Sequence, residues 1–113
     1  MASISVAFPI LPGKEALARE FAEQVSGPRR TEMRQALSYW GVQKESWYVQ
    51  QGPQGSMLLV HMEADNPTQV FADFARSTQP FDKWFKDQAK AATGIDFNEP
   101  PAALPQMVYS SEG

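Results

Sequence analysis

The sequence predicts an α+β domain, with one antiparallel sheet carrying helices on one of its faces. Three observations lead there. Apolar residues alternate with a period of two over residues 4–10, and the aromatic and β-branched run in 45–51 and the apolar run in 57–64 also read as strands. Elsewhere they recur every three or four residues, the spacing of amphipathic helices. Gly and Pro punctuate most of the changes between the two patterns. The 113 residues suit a single domain, 1–113, with a modest core.

The elements follow in order. Ile4, Val6, Phe8 and Ile10 share one side of a first strand, and Pro9 suggests an edge position for its end. After Pro12-Gly13, Leu17, Phe21 and Val25 step by four along a helix that stops at Gly27-Pro28. A second helix has Met33, Ala36, Leu37 and Trp40 as its stripe and Gly41 as its stop. Glu45 to Gln51 is a strand, Gly52-Pro53-Gln54-Gly55 a turn, and Met57 to Ala64 the strongest strand. These two strands should form a hairpin with a loop of about four residues. Asn66-Pro67 opens a third helix, where Asn66 caps, Pro67 fills the first position and Gln69 is placed to complete a capping box. Val70, Phe71 and Phe74 form its buried side. Gln79-Pro80 restarts the helix. Phe81, Trp84, Phe85, Gln88 and Ala92 line one face, with Asp82–Lys86 and Lys83–Asp87 as pairs on the wet side, and Gly94 ends it. Residues 98–113 form an extended, proline-rich C-terminal segment, with a short final strand expected at Gln106–Tyr109 and a frayed end at Ser110–Gly113.

This order is met by a βαββαβ, ferredoxin-like arrangement in which each crossover is built from paired helices. One sheet face would carry Ile4, Val6, Phe8, Trp47, Val49, Leu58, Val60 and Met62 under the helices. The other would carry Ser5, Ala7, Ser46, Tyr48, Gln50, Met57, Leu59 and His61. An antiparallel face that met only water should be more polar than that. Burying Met57, Leu59 and Tyr48 against a second sheet would contribute on the order of several kcal/mol at ~25 cal/mol per Å². A homodimer through the sheet face is therefore expected.

Several segments carry a resemblance. Trp47-Tyr48-Val49-Gln50, Asp73-Phe74, Pro80-Phe81-Asp82-Lys83-Trp84-Phe85-Lys86 and Gly94-Ile95-Asp96 resemble a group of uncharacterised small bacterial proteins of the dimeric α/β-barrel superfamily. The resemblance runs from the first helix to Gly94-Ile95-Asp96. It implies ferredoxin-like protomers paired sheet to sheet. That superfamily includes cofactor-independent monooxygenases, haem-degrading enzymes, muconolactone-isomerase-like enzymes and stress-response proteins, and fold does not choose among them.

Composition narrows the function classes. Cysteine is absent, which removes disulfides, thiolate metal sites and cysteine nucleophiles. The net charge of −3 argues against a nucleic-acid partner. Met1-Ala2-Ser3-Ile4 shows no signal-peptide pattern and no run approaches the ~20 apolar residues that span a bilayer, so a cytoplasmic protein without membrane contact is expected. No spacing supplies a metal-ligand set or a cofactor motif, so neither metal nor cofactor is expected.

The candidate site residues are few. His61, the only histidine, lies in the strongest strand and is a candidate for proton transfer with Tyr48, or else a hydrogen-bonded interface histidine. Arg29, Arg30 and Arg34 sit in the first turns of a helix, where the dipole disfavours cations. Arg29 extends the Met33–Ala36–Trp40 stripe and is a candidate clamp for an anion, with Arg30 beside it; the plainer alternative is a salt bridge to Glu32, Glu20 or Glu23. Trp47 and Trp84 are candidate walls of an apolar pocket, or simply core. Two functions stay open: an enzyme or binder acting on a small apolar or aromatic anion between sheet and helices, and a non-catalytic ligand-binding or stress-associated dimer.

Overall fold

Local stop signals divide the chain, and a computed structural model describes the result for residues 2–112; Met1 and Gly113, and with them the last residue of the expected frayed end, lie outside the described residues. The order is β1 (Ala2–Pro9), α1 (Glu15–Ser26), α2 (Arg30–Trp40), β2 (Val42–Gly52), β3 (Gly55–Ala64), α3 (Pro67–Arg76) and α4 (Pro80–Thr93). Gly41 and Gly94 end α2 and α4 in the left-handed region, at φ 81° and 78°, which a side chain would strain. The Asn66 side chain caps α3 by accepting from Gln69 N at 3.1 Å. The reciprocal half of the expected capping box is not made, because the Gln69 side chain donates to Asp73 instead, at 2.7 Å. No helix of the described residues is long and apolar enough to cross a membrane.

The strands form an antiparallel sheet in the order β1-β3-β2, three strands among the described residues. Residues 106–109 form no strand; Met107, Val108 and Tyr109 stand 66%, 96% and 80% exposed. The hairpin is tighter than expected. Gly52 pairs with Gly55, leaving Pro53-Gln54 as the loop. β2 also starts earlier, at Val42 directly after the Gly41 cap. A register shift between Val42 and Lys44 lets Val42 face the helices together with Glu45, Trp47 and Val49. The opposite face carries Ser3, Ser5 and Ala7 from β1, Met57, Leu59, His61 and Glu63 from β3, and Lys44, Ser46, Tyr48 and Gln50 from β2, as the pairing register dictates.

The helices cover the first face with an aromatic core. Phe21, Trp40, Phe74 and Phe81 are buried, and Trp47, Trp84 and Phe85 pack against them. Phe85 touches Phe21, Trp40, Trp47 and Phe74 at ring-centre distances of 4.8 to 5.8 Å, mostly edge to face.

One expectation is overturned within this layer. Asp82 and Lys86 are not on the wet side of α4; they are 0% and 3% exposed. Asp82 accepts from Trp40 Nε1 at 3.1 Å and from the hydroxyls of Tyr39 and Ser77. Lys86 Nζ donates to the carbonyls of Ala75 and Ser77, at 3.1 and 3.0 Å, and to Asn98 Oδ1 at 3.2 Å. A charged pair four residues apart is ordinarily a surface pair, whereas here the buried polar atoms of both side chains have hydrogen-bond partners. Burial lowers the Lys86 pKa, with the Asp82 and Asp96 charges opposing it; burial and the Asp82 hydrogen bond raise that of Tyr39. Asp82→Ala leaves three donors without their acceptor and removes the negative charge that offsets Lys86. It should cost about 3 kcal/mol in urea unfolding, and a loss below ~1 kcal/mol would contradict this role for Asp82.

Candidate functional site

The aromatic layer does not close completely on the sheet. A cavity of about 70 Å³ remains between them, walled by Phe8 and Trp47 from the strands, Phe21 and Trp40 from α1 and α2, Phe71 and Phe74 from α3, Phe85 from α4, and Phe97 from the segment after α4. Aliphatic side chains including Val60, Met62 and Val70 complete a lining whose polar side chains are only Glu45 and Thr93. Thr93 is spent locally: its hydroxyl donates to Ala89 O at 2.7 Å and accepts from Ile95 N at 3.2 Å. Phe97 is held over the cavity by Phe8 and Phe74, at ring-centre distances of 5.3 and 6.2 Å. Its neighbour Asn98 is anchored by Lys86.

Glu45 is the unusual member. Strand parity sends it to the helix face with Trp47, and Trp47 Nε1 donates to its Oε2 at 2.8 Å. No salt bridge among the described residues includes it. Burial pushes its carboxyl up from 4.5 to about 7, and the hydrogen bond from Trp47 opposes only part of that rise. A carboxyl poised near neutrality in an apolar surround can hold or release a proton at ordinary pH. The expected sites did not include Glu45. The signal was there, since Glu45, Trp47 and Val49 alternate onto one face, but Glu45 stood at the expected start of the strand.

The expected site residues separate into three places. Trp47 alone lines the cavity. Trp84 lies on the far side of the aromatic core, against Phe21 and Phe81. Arg29, at the N-cap position of α2, is stacked on Trp84, its guanidinium carbon 4.1 Å from the ring centre, and pairs with Glu32 at 3.3 Å rather than pointing to the sheet. Arg30 is exposed. Neither arginine reaches the cavity. His61 and Tyr48 belong to the open sheet face, where they border one shallow depression. There Ser5 Oγ lies 3.1 Å from His61 Nδ1, and Glu63 Oε2 lies 3.6 Å from His61 Nε2 and 4.0 Å from Lys44 Nζ. The sheet thus stands between these proton-bearing groups and the Trp47 cavity. Among the described residues no cluster of His, Asp or Glu is placed to hold a metal ion.

Compared with known proteins, the chain matches no family model, no curated protein and no solved structure.

The raised Glu45 pKa has a sign that stability reports. Below pH 4.5 the group is protonated in both folded and unfolded chains, so it adds no pH dependence. As pH rises the unfolded chain ionises first, and stability falls until about pH 7, where the folded chain follows. The full cost is roughly 2–3 kcal/mol after allowing for partial solvent access. Glu45→Gln, which can still accept from Trp47, should match the wild type at pH 4.5 and exceed it by ~2 kcal/mol at pH 8 in urea unfolding. Equal stabilities at pH 8 would contradict the burial of this carboxyl.

Proposed function

We propose that the protein binds a small apolar or aromatic molecule in the cavity between sheet and helices, and works as a homodimer. The observation that carries the first part is the cavity itself: native interiors rarely leave such a void, and this one is lined by rings with Trp47 and Glu45 at its wall. The anionic substrate suggested by Arg29 and Arg30 has no support in the lining, which contains no cation. The volume of about 70 Å³ is under half the ~150 Å³ that holds a benzene ring in an apolar cavity, so a one-ring molecule enters only as the half-open aromatic layer gives way. The reading as an enzyme rests on Glu45, the single titratable group in the lining. That same singleness favours the second reading, a binding module without bond chemistry, because acid–base catalysis commonly uses two groups.

The dimer is supported by the open sheet face, where Leu59 and Met57 are half-buried and Tyr48 is 60% exposed in a single protomer. The C-terminal segment supports a further step. Phe97 lies by Phe8, and Pro105–Met107 border a depression with Ser3–Ser5 and His61, so the segment passes from one end of β1 towards the other. That is where a fourth strand of a ferredoxin-like sheet would stand. Pairing of Gln106–Tyr109 there, on formation of a dimeric α/β barrel, would bury Met107, Val108 and Tyr109.

Two measurements test this. Toluene titrated into the protein should shift tryptophan emission saturably, and Ala89→Leu, which fills the cavity wall, should abolish the shift while leaving the melting transition cooperative. An unsaturable response, or one that survives in Ala89→Leu, would refute the cavity as the binding place. In sedimentation the wild type should be a dimer at micromolar concentration and Leu59→Glu a folded monomer; a monomeric wild type would refute the sheet-face dimer.

A further inference from the structure

The open face of the sheet carries a second constellation, which the sheet itself separates from the cavity. His61 stands at its centre on the middle strand. Its cross-strand neighbours are Ser5 on β1 and Ser46 on β2, and Glu63 and Leu59 lie two residues away on either side along β3. Ser5 Oγ lies 3.1 Å from His61 Nδ1. On the other side of the ring, Glu63 Oε2 lies 3.6 Å from Nε2. That gap is longer than a hydrogen bond, but a negative charge so close favours the tautomer with its N–H on Nε2. The Nδ1 lone pair is then left to accept from the Ser5 hydroxyl. A hydroxyl, an imidazole and a carboxylate in this sequence are the parts of an activated nucleophile: the base is within reach of the hydroxyl, and a third group orients the base. All three stand on two paired strands whose register fixes their spacing.

We propose that Ser5, His61 and Glu63 form a hydrolytic site for small carboxylic esters, with Ser5 as nucleophile, His61 as general base and Glu63 as the positioning residue. His61 Nδ1 takes the Oγ proton as Oγ forms a bond to the ester carbonyl carbon. The bond from that carbon to the leaving oxygen then breaks, and Nδ1 returns the proton to the leaving alcohol. Water closes the cycle. Nδ1 takes one of its protons as its oxygen attacks the acyl carbon, and the Ser5 oxygen leaves with that proton. Lys44 and Tyr48 border the same depression as Ser5 and His61, and bring an ammonium and a phenol as donors for the oxyanion. Ala7 and Leu59 give the depression an apolar floor for the carbon skeleton of the ester, and its open volume of about 580 Å³ accepts an ester of one ring. Ser5 and Ser46 reach less far from the sheet than Leu59 and Met57. A second copy packed on the longer side chains would therefore roof the site and exclude water from it, without filling it.

The test treats the whole chain with diisopropyl fluorophosphate and, separately, with p-nitrophenyl acetate. With the first, Ser5 Oγ forms a bond to phosphorus, fluoride leaves and the hydroxyl proton passes to His61. Mass spectrometry should find a single adduct, on the peptide that carries Ser5. The acetate ester should release nitrophenolate in a burst of about one equivalent per chain, the mark of an acyl intermediate. Ser5→Ala should remove both adduct and burst. His61→Gln, which keeps a hydrogen-bond partner for Ser5 but no base, should slow both roughly a hundredfold. Glu63→Gln should lower kcat about tenfold with KM unchanged, and Glu63→Asp should recover part of the loss. Ser46→Ala, on the other side of His61, should change neither reaction. No adduct on Ser5, or ester hydrolysis that survives Ser5→Ala, would overturn the site. Labelling of Ser5 as fast in His61→Gln as in the wild type would overturn the relay, and an unchanged kcat in Glu63→Gln would remove Glu63 from it. None of these outcomes depends on whether toluene enters the cavity.

Discussion

The helical layer depends on one buried carboxylate. Asp82, at the start of α4, accepts from Tyr39 and Trp40 at the end of α2 and from Ser77 at the end of α3. Three helices are thus tied to one group, α2 to α4 across the fold and α3 to α4 across the short turn at 77–79. One turn along α4, Lys86 holds the last carbonyls of α3 and reaches Asn98 in the segment beyond. Charges in a core are costly unless every lone pair and proton is used, and here they are used. Geometric specificity is what such a cluster contributes, more than net stability.

That specificity reaches the cavity by two routes. Trp40, fixed through its indole N–H by Asp82, is one wall. Phe97, next to the Asn98 that Lys86 holds, is another. Both rings are therefore placed by polar contacts made away from the cavity, and the space they leave need not collapse. Glu45 then meets a largely apolar surround with one donor, Trp47, to stabilise its charge. Desolvation outweighs that single hydrogen bond, and the neutral acid is the favoured form up to about neutral pH.

Much of this architecture was legible from pattern alone. The helix stops at Gly41 and Gly94, the Asn66 cap, the hairpin and the division of the sheet into two faces all follow from period and punctuation. The departures at Asp82, Lys86 and Glu45 share a physical cause. Pattern reasoning assigns charged residues to solvent, so Asp82 and Lys86 were placed on the wet side of α4 although they sit one position from Phe81 and Phe85. Glu45 was passed over for the same reason, although parity with Trp47 marks its side of the strand. Arg29 was drawn to the sheet by the helical stripe, but as the cap of α2 it lies outside the helical period, and Trp84 and Glu32 take it sideways. Gln106–Tyr109 has strand composition and no strand, because a sheet edge must be met with correct register before composition matters.

The two faces of the sheet therefore divide the chemistry. His61, Ser5 and Glu63 lie together on the open face, and the aromatic cavity with Glu45 lies on the other. The account stands on the second: an apolar cavity that keeps a carboxyl neutral. Its most direct test is the titration of Glu45 itself, followed by the carboxyl ¹³C resonance assigned by its disappearance in Glu45→Gln. A midpoint raised towards pH 7 is the result the burial of this carboxyl predicts. A midpoint near the ordinary 4.5 would mean that water reaches the carboxyl freely, and that the cavity is not the dry, aromatic site described.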